Sequence, residues 1–270
     1  MPFCRPPRFL PALILASCAL GAGQAAAVPG LPLDDPELAA CAEKLMPRQS
    51  FSQVLELNVT QAGAEASTIG AELFWKRDAQ GLSRVVLRLT SPRDKAGLAV
   101  LTMEQKKGDP TFMVYLPETR KARRVAGKTI DGSMFGTDFS YEDFAYFQHT
   151  AAAGKVKRLE DQAVDGTAMA VLEAEPESAS PRYSKVISWL DKGRCTLSRM
   201  EFYAKNGTLL KELSVPAAEV IDVEGRWVPQ RIVLDDKKRG SRTELKVVST
   251  KIDQPLNDAL FNPITFGNGP

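Results

Sequence analysis

Between residues 51 and 252 the apolar side chains recur at every second position, in short runs separated by turn-forming pairs. That rhythm constrains the chain to antiparallel β-structure. Phe51, Leu55, Leu57 and Val59 share one side of an extended segment, Leu73 and Trp75 continue the theme, and Val85, Leu87 and Leu89 alternate with Arg84, Val86 and Arg88. Further runs follow at 98–103, 112–116, 155–160, 167–174, 183–190, 197–203, 209–213, 218–223, 228–234 and 243–252. Asp165-Gly166, Asn206-Gly207 and Glu224-Gly225 punctuate them. Asn-Gly is the strongest hairpin signal among these, because both residues tolerate the positive φ of a two-residue turn. Many short strands joined by hairpins predict a mainly β protein with one large antiparallel sheet, curled or packed on a second. No composition break or long linker divides the pattern, so it reads as one domain.

Helical spacing appears at three places. Asp35-Pro36 offers a capping carboxylate followed by proline at the first helical position, and Leu38, Cys41, Ala42 and Leu45 then fall on one stripe until Pro47. Between Met134 and Phe147 the alternation stops. There Ser140 stands three residues before Asp143 as a capping box, with Phe139 and Phe144 spaced as a hydrophobic staple. A last brief helical turn is expected at 256–261. The pattern as a whole predicts a curved sheet whose one face is covered by an N-terminal helix and a short helical lid.

The first residues read as an export signal. Arg5 and Arg8 supply a cationic start, 9–20 an apolar stretch too short to span a bilayer comfortably, and Ala25-Ala26-Ala27 a cleavage site. Residues 1–27 are thus expected to be a signal peptide and 28–270 the mature domain, in the periplasm. A second reading stays open, because Leu15-Ala16-Ser17-Cys18 has the form of a lipoprotein signal and would leave the protein anchored through an acylated Cys18. Removal of two arginines leaves basic and acidic residues equal in number. A balanced chain lacks the cationic footprint that phosphate binding requires, which argues against nucleic acid. Of four cysteines, Cys41 and Cys195 remain in the mature chain. In an oxidising compartment they are expected to pair; two buried thiols are the alternative.

No catalytic motif presents itself. The single histidine, His149, falls in a small-residue loop. There is neither a G-x-S-x-G elbow, nor an H-E-x-x-H helix, nor a phosphate-binding glycine loop, nor a C-x-x-C pair, so no enzyme, metal or cofactor chemistry is expected. Asp138, Glu142 and Asp143 could serve as an acid–base pair, yet helix capping already accounts for Asp143. Arg120, Lys121, Arg123 and Arg124 form a basic run, read as a solvated strand edge with Arg123 and Arg124 as candidates for contact with a headgroup or partner. Aromatic and methionine side chains concentrate between residues 112 and 147. Leu73, Trp75, Phe112 and Val114 are the expected wall of an apolar cavity. Met134, Phe135, Phe139, Tyr141 and Phe144 are its expected lid, with adaptable side chains suited to variable apolar ligands.

The segment from Tyr115 through Leu-Pro-Glu-Thr-Arg-Lys-Ala-Arg-Arg-Val, continued by Gly132-Ser-Met-Phe-Gly-Thr-Asp-Phe-Ser-Tyr-Glu-Asp-Phe, resembles a poorly characterised branch of the LolA-like outer-membrane lipoprotein-sorting proteins. Trp189-Leu-Asp-Lys, the stretch from Arg199 to Lys211, and Leu256-Asn-Asp-Ala-Leu-Phe, similar to that family's closing strand, extend the resemblance over the mature chain. Thr137 stands where the branch more often has serine. The resemblance implies an unclosed β-barrel with helices over its concave apolar face. It also implies a monomeric carrier of lipoprotein or lipid acyl chains, exchanging cargo with an inner-membrane transporter and an outer-membrane acceptor. A non-catalytic sensing accessory of an envelope lipid-export complex is the alternative.

Overall fold

The computed structural model describes residues 35–45, 47–147, 155–176 and 182–267. The two expected signal-peptide sites, Cys18 and His149 lie outside these residues. Helix α1 (Pro36–Leu45) precedes a meander of six strands: β1 (Ser50–Gln61), β2 (Ser67–Arg77), β3 (Ser83–Ser91), β4 (Ala99–Met103), β5 (Thr111–Leu116) and β6 (Lys121–Val125). Helix α2 (Tyr141–Phe147) follows. A second series comprises β7 (Lys155–Arg158), β8 (Gln162–Val164), β9 (Thr167–Glu175), β10 (Lys185–Asp191), β11 (Thr196–Tyr203) and β12 (Leu209–Ser214). The chain then makes the hairpin β13 (Val220–Val223) and β14 (Arg226–Pro229) before β15 (Arg231–Asp236) and β16 (Ser241–Ile252).

All these strands except the β13–β14 hairpin form one antiparallel sheet in the order β6-β5-β4-β3-β2-β1-β16-β15-β12-β11-β10-β9-β7, with β8 also on β9. The path ends at β6 and β7 without returning on itself, so the curved sheet is an unclosed barrel. Its centre is the pairing of β1 with β16, which runs from Phe51 opposite Ile252 to Gln61 opposite Ser241.

The period-two pattern builds two unlike faces. On the inner face Leu55, Leu57, Ile69, Leu73, Trp75, Val85, Leu87, Val100 and Phe112 from the first meander join Val186, Phe202, Leu213, Leu234, Leu245 and Val247 from the second in one apolar cluster. The outer face of β2–β6 is covered by the C-terminal segment, whose Leu260, Phe261 and Phe266 pack on Val86, Ala99 and Leu101. There the buried Arg88 donates through Nη2 to the Phe266 carbonyl at 2.6 Å. Gly267 is required at its position, because a Cβ there would fall 2.1 Å from the Tyr115 ring.

Several expectations shift in detail. Asp35 caps α1 as expected, accepting from the Glu37 and Leu38 amides at 3.0 and 3.3 Å. The run 155–160 divides into β7 and part of the connection to β8. The run 228–234 spans two strands, since the chain leaves the hairpin at Pro229 and enters the sheet at Arg231. The helical turn expected at 256–261 forms as a 3-10 turn (Asp258–Phe261), so the segment that resembles the family's closing strand is no strand here, and β16 completes the sheet. Proline at 255 and the Asn257 side chain accepting from the Ala259 amide favour the turn over a ladder.

Candidate functional site

The lid segment lies against the inner face and fills much of it. Residues 133–140 form a loop closed by a bridge between Ser133 and Ser140 and by the Met134 amide donating to the Phe139 carbonyl at 2.7 Å. Its tip carries Phe135 at φ 58° and Gly136 at φ 86°, a left-handed pair that turns the chain back on itself. The capping box forms as its spacing implies: Ser140 Oγ accepts from the Asp143 amide at 3.1 Å, and Asp143 Oδ2 accepts from the Ser140 amide at 2.8 Å. Met134, Phe139, Tyr141 and Phe144 are buried in the same cluster as Leu73, Trp75 and Phe112, with Phe135 and Val114 packed at its margin. Tyr141 meets Phe112 edge-on at 5.7 Å between centroids.

Buried polar contacts fasten this lid to the second half of the sheet. Asp143 pairs with Lys211 of β12, both almost without solvent exposure at 1% and 2%. Asp143 also accepts from the Tyr183 hydroxyl at 2.5 Å, and Lys211 donates to the Asp138 carbonyl at 2.6 Å. Asp138 accepts from the Ser241 hydroxyl, and from Thr243 Oγ1 at 2.8 Å, while its amide donates to Thr243 at 2.8 Å. Arg239 lies 3.6 Å from the Asp138 carboxylate. Thr137 keeps its hydroxyl engaged, donating to the Met134 carbonyl at 2.7 Å and accepting from the Phe139 amide at 3.2 Å.

These carboxylates therefore serve as fastenings. Each of their carboxylate oxygens accepts from a donor that belongs to the fold, which gives Asp138 and Asp143 a structural role. Burial first, and the Asp143 charge second, hold the Tyr183 phenol well above its usual range, so it stays a donor. Glu142, next to the latch, is pushed up to about 8 by burial and then by the Asp143 and Asp131 carboxylates, with Arg182 offsetting part of the effect.

The latch partners Lys211, Ser241 and Thr243 were not singled out from the sequence, although a signal was there. Lys211 is in phase with Leu213, and Ser241 and Thr243 with Leu245 and Val247, all on the apolar side of their strands. Polar residues at inward positions call for buried partners.

One cavity on the inner face, bounded by described residues, lies away from the lid. It has a volume of about 130 Å³ and sits where β1, β2, β11, β15 and β16 run beneath the β13–β14 hairpin. Phe51, Leu55, Leu73, Leu197, Ile232, Leu245, Val247 and Ile252 form its floor and walls, and Arg226, Trp227, Val228 and Pro229 of the hairpin its far side. Of the expected wall and lid residues only Leu73 lines it; Trp75 lies behind, its ring stacked on Phe51 at 5.5 Å. The Trp75 indole N–H is buried and meets no acceptor among the described residues. The hairpin is tethered by Arg226 donating to the Lys44 carbonyl at 2.8 Å and by Trp227, 40% exposed, lying 4.8 Å from the Arg194 guanidinium.

The disulfide Cys41–Cys195 forms, with Cα atoms 5.0 Å apart, and ties α1 to the turn after β10. Leu38 and both cysteines pack there on Ala170, Leu172 and Leu190. Arg123 and Arg124 are exposed on edge strand β6. They do not form one patch, because Arg123 is opposite Val114 and Arg124 opposite Met113, on the two faces of the sheet.

Comparison with known proteins gives the fold its relatives. No curated protein matches the chain. Among solved structures, a domain described as an outer membrane lipoprotein-sorting protein from Vibrio parahaemolyticus superposes with a TM-score of 0.77 at 23% identity, over 86% of this chain and 97% of that one. A DUF1329 family protein from Desulfovibrio piger gives 0.75 at 21%, over 84% and 95%. A LolA superfamily protein from Nitrosomonas europaea gives 0.65 at 20%, over 84% and 96%. A family model described only as an uncharacterized protein matches residues 81–266, from the start of β3 to the end of the C-terminal cover. The chain belongs to the family that this model describes, and its fold is LolA-like.

Proposed function

We propose that this protein is a non-catalytic carrier that binds the acyl chains of lipoproteins or lipids on its inner face, works in the periplasm and delivers its cargo towards the outer membrane. The observation that carries the proposal is the apolar cavity beneath the β13–β14 hairpin, continuous with an apolar face that is otherwise occupied by the chain's own lid. Small-molecule sites usually enclose about 300–1,000 Å³. At about 130 Å³ the cavity admits part of an acyl chain, and admitting the rest requires the lid to yield inner-face surface. Each CH₂ transferred from water contributes about 0.8 kcal/mol, so a chain displacing lid side chains exchanges one apolar contact for another. The near-balance of that exchange suits a carrier, which must release what it binds. The lid residues Met134, Phe135, Phe139, Tyr141 and Phe144 are the displaceable part in this reading, and Leu73, Trp75, Phe112 and Val114 the fixed wall. The outer membrane lipoprotein-sorting description of the Vibrio relative supports the same reading.

Native mass spectrometry of protein purified from cells, followed by lipid extraction, tests this. Bound phospholipid or acylated peptide is expected, and Val247→Phe, which fills the cavity from its floor, is expected to reduce the occupied fraction several-fold while leaving the thermal midpoint within a few degrees. A reproducibly empty protein, or cargo retained in full by a well-folded Val247→Phe variant, overturns the proposal.

A further inference from the structure

The antiparallel order gathers the connections between strands at two ends of the sheet, and those ends differ in charge. Of the connections that lie wholly within the described residues, the end that carries the lid loop has β1–β2, β3–β4, β5–β6, β11–β12 and β15–β16. They present Arg93 and Lys95, Arg120, Lys205, and Lys237, Lys238 and Arg239, against Glu65, Asp94 and Glu118. The side chains of Arg93, Arg120, Lys205 and Lys238 are exposed and in no ion pair among the described residues. At the opposite end the charges balance locally. Lys106 and Lys107 share a loop with Glu104 and Asp109, Lys192 pairs with Glu37 and Asp161, and the β13–β14 hairpin carries Asp222 and Glu224 beside Arg226.

We propose that the lid-loop end is a docking surface for the anionic headgroups of a phospholipid membrane. The cations are distributed over separate turns along a rim and converge on no pocket, an arrangement that matches a continuous charged plane better than a shaped acidic protein. Two of them also touch the lid itself: Lys95 Nζ reaches the Phe135 carbonyl at 3.4 Å and Arg239 Nη1 the Thr137 carbonyl at 3.5 Å. Both contacts are long, so headgroup phosphates compete for these cations at the loop the lid turns on. Arg123 and Lys121, at the start of the β6 edge, extend the same rim.

The test is flotation of the delipidated full-length mature protein with vesicles of phosphatidylcholine alone or with 30% phosphatidylglycerol (~30%, a fraction chosen to mimic an anionic leaflet). Binding to the anionic vesicles alone is expected, weakening between low and ~150 mM salt as the Debye length shortens to ~8 Å. Each neutralised cation is expected to lower the partition coefficient roughly fivefold, so Arg120→Gln/Lys205→Gln/Lys238→Gln loses about a hundredfold. Lys106→Gln/Lys107→Gln, at the opposite end, retains binding. Equal binding to both vesicle types, equal loss in both variants, or no vesicle binding at low salt while an acidic protein is held by the same residues overturns the proposal. Acyl-chain carriage is scored by extracted lipid, so failure there and failure here are separate results.

Discussion

Replacing Lys211 by methionine is the sharpest probe of how the lid is held. The side chain is 2% exposed and reaches only lid groups, the Asp143 carboxylate and the Asp138 carbonyl. Methionine conserves most of the volume, so the substitution removes charge and donors with little cavity. It leaves Asp143 buried with only the Tyr183 hydroxyl and the Ser140 amide as partners. Removing one member of a buried pair costs about 3–5 kcal/mol. Asp143→Asn strands the Lys211 charge in turn and is expected to cost a similar amount. With both changes no unpaired charge remains, so the double variant is expected to recover about 2 kcal/mol relative to the sum. Urea denaturation of the four proteins at pH 7, disulfide intact, measures the coupling. Amide exchange across 133–147 tells whether the loss is local to the lid or spread through the sheet. Additive single costs, or costs below ~1 kcal/mol as for an exposed pair, would refute a buried latch.

Two other outcomes follow from the same geometry. Because the folded state raises the Glu142 pKa from 4.5 to about 8, it binds that proton more tightly than the unfolded chain, and the associated stability, complete below about 4.5, erodes as pH rises to about 8. Glu142→Gln is therefore expected to stabilise the protein at pH 8 by on the order of 2 kcal/mol, discounted for its partial exposure, and to change nothing at pH 4, as read from thermal midpoints at the two pH values. The disulfide spans 154 residues, a loop whose closure restrains the unfolded chain by about 5 kcal/mol. Cys41→Ser/Cys195→Ser is expected to lower the urea midpoint accordingly, and an unchanged midpoint would show that α1 docks without it.

The strands were legible because their apolar period and their turns agree. The Asn206-Gly207 hairpin forms where its sequence places it, although as a three-residue loop in which only Gly207 has a positive φ, 80°, and the Ala204 amide donates to the Thr208 carbonyl at 2.9 Å. The caps at Asp35 and Ser140 were equally readable, being local devices within four residues. The cavity was not. Its far wall is a hairpin whose Glu224-Gly225 turn was readable, but the run 228–234 gave no sign that the chain passes there from one sheet to another. Periodicity within a strand records which residues share a face and is silent on where facing elements leave a gap. The latch was half visible, since Ser140 and Asp143 are neighbours in sequence, whereas Lys211 meets them only through a fold that brings residues 68 positions apart together.

The pairing of β1 with β16 at the middle of the sheet sets an order on how this protein is made. Until residues 241–252 have emerged, β1 and β15 each show an open edge, and both halves of the apolar inner face stay without their central seam. A chain synthesised or translocated from its N-terminus consequently cannot close the sheet early. Joining the two halves is a late, long-range and slow assembly step during which exposed strand edges need protection from other chains.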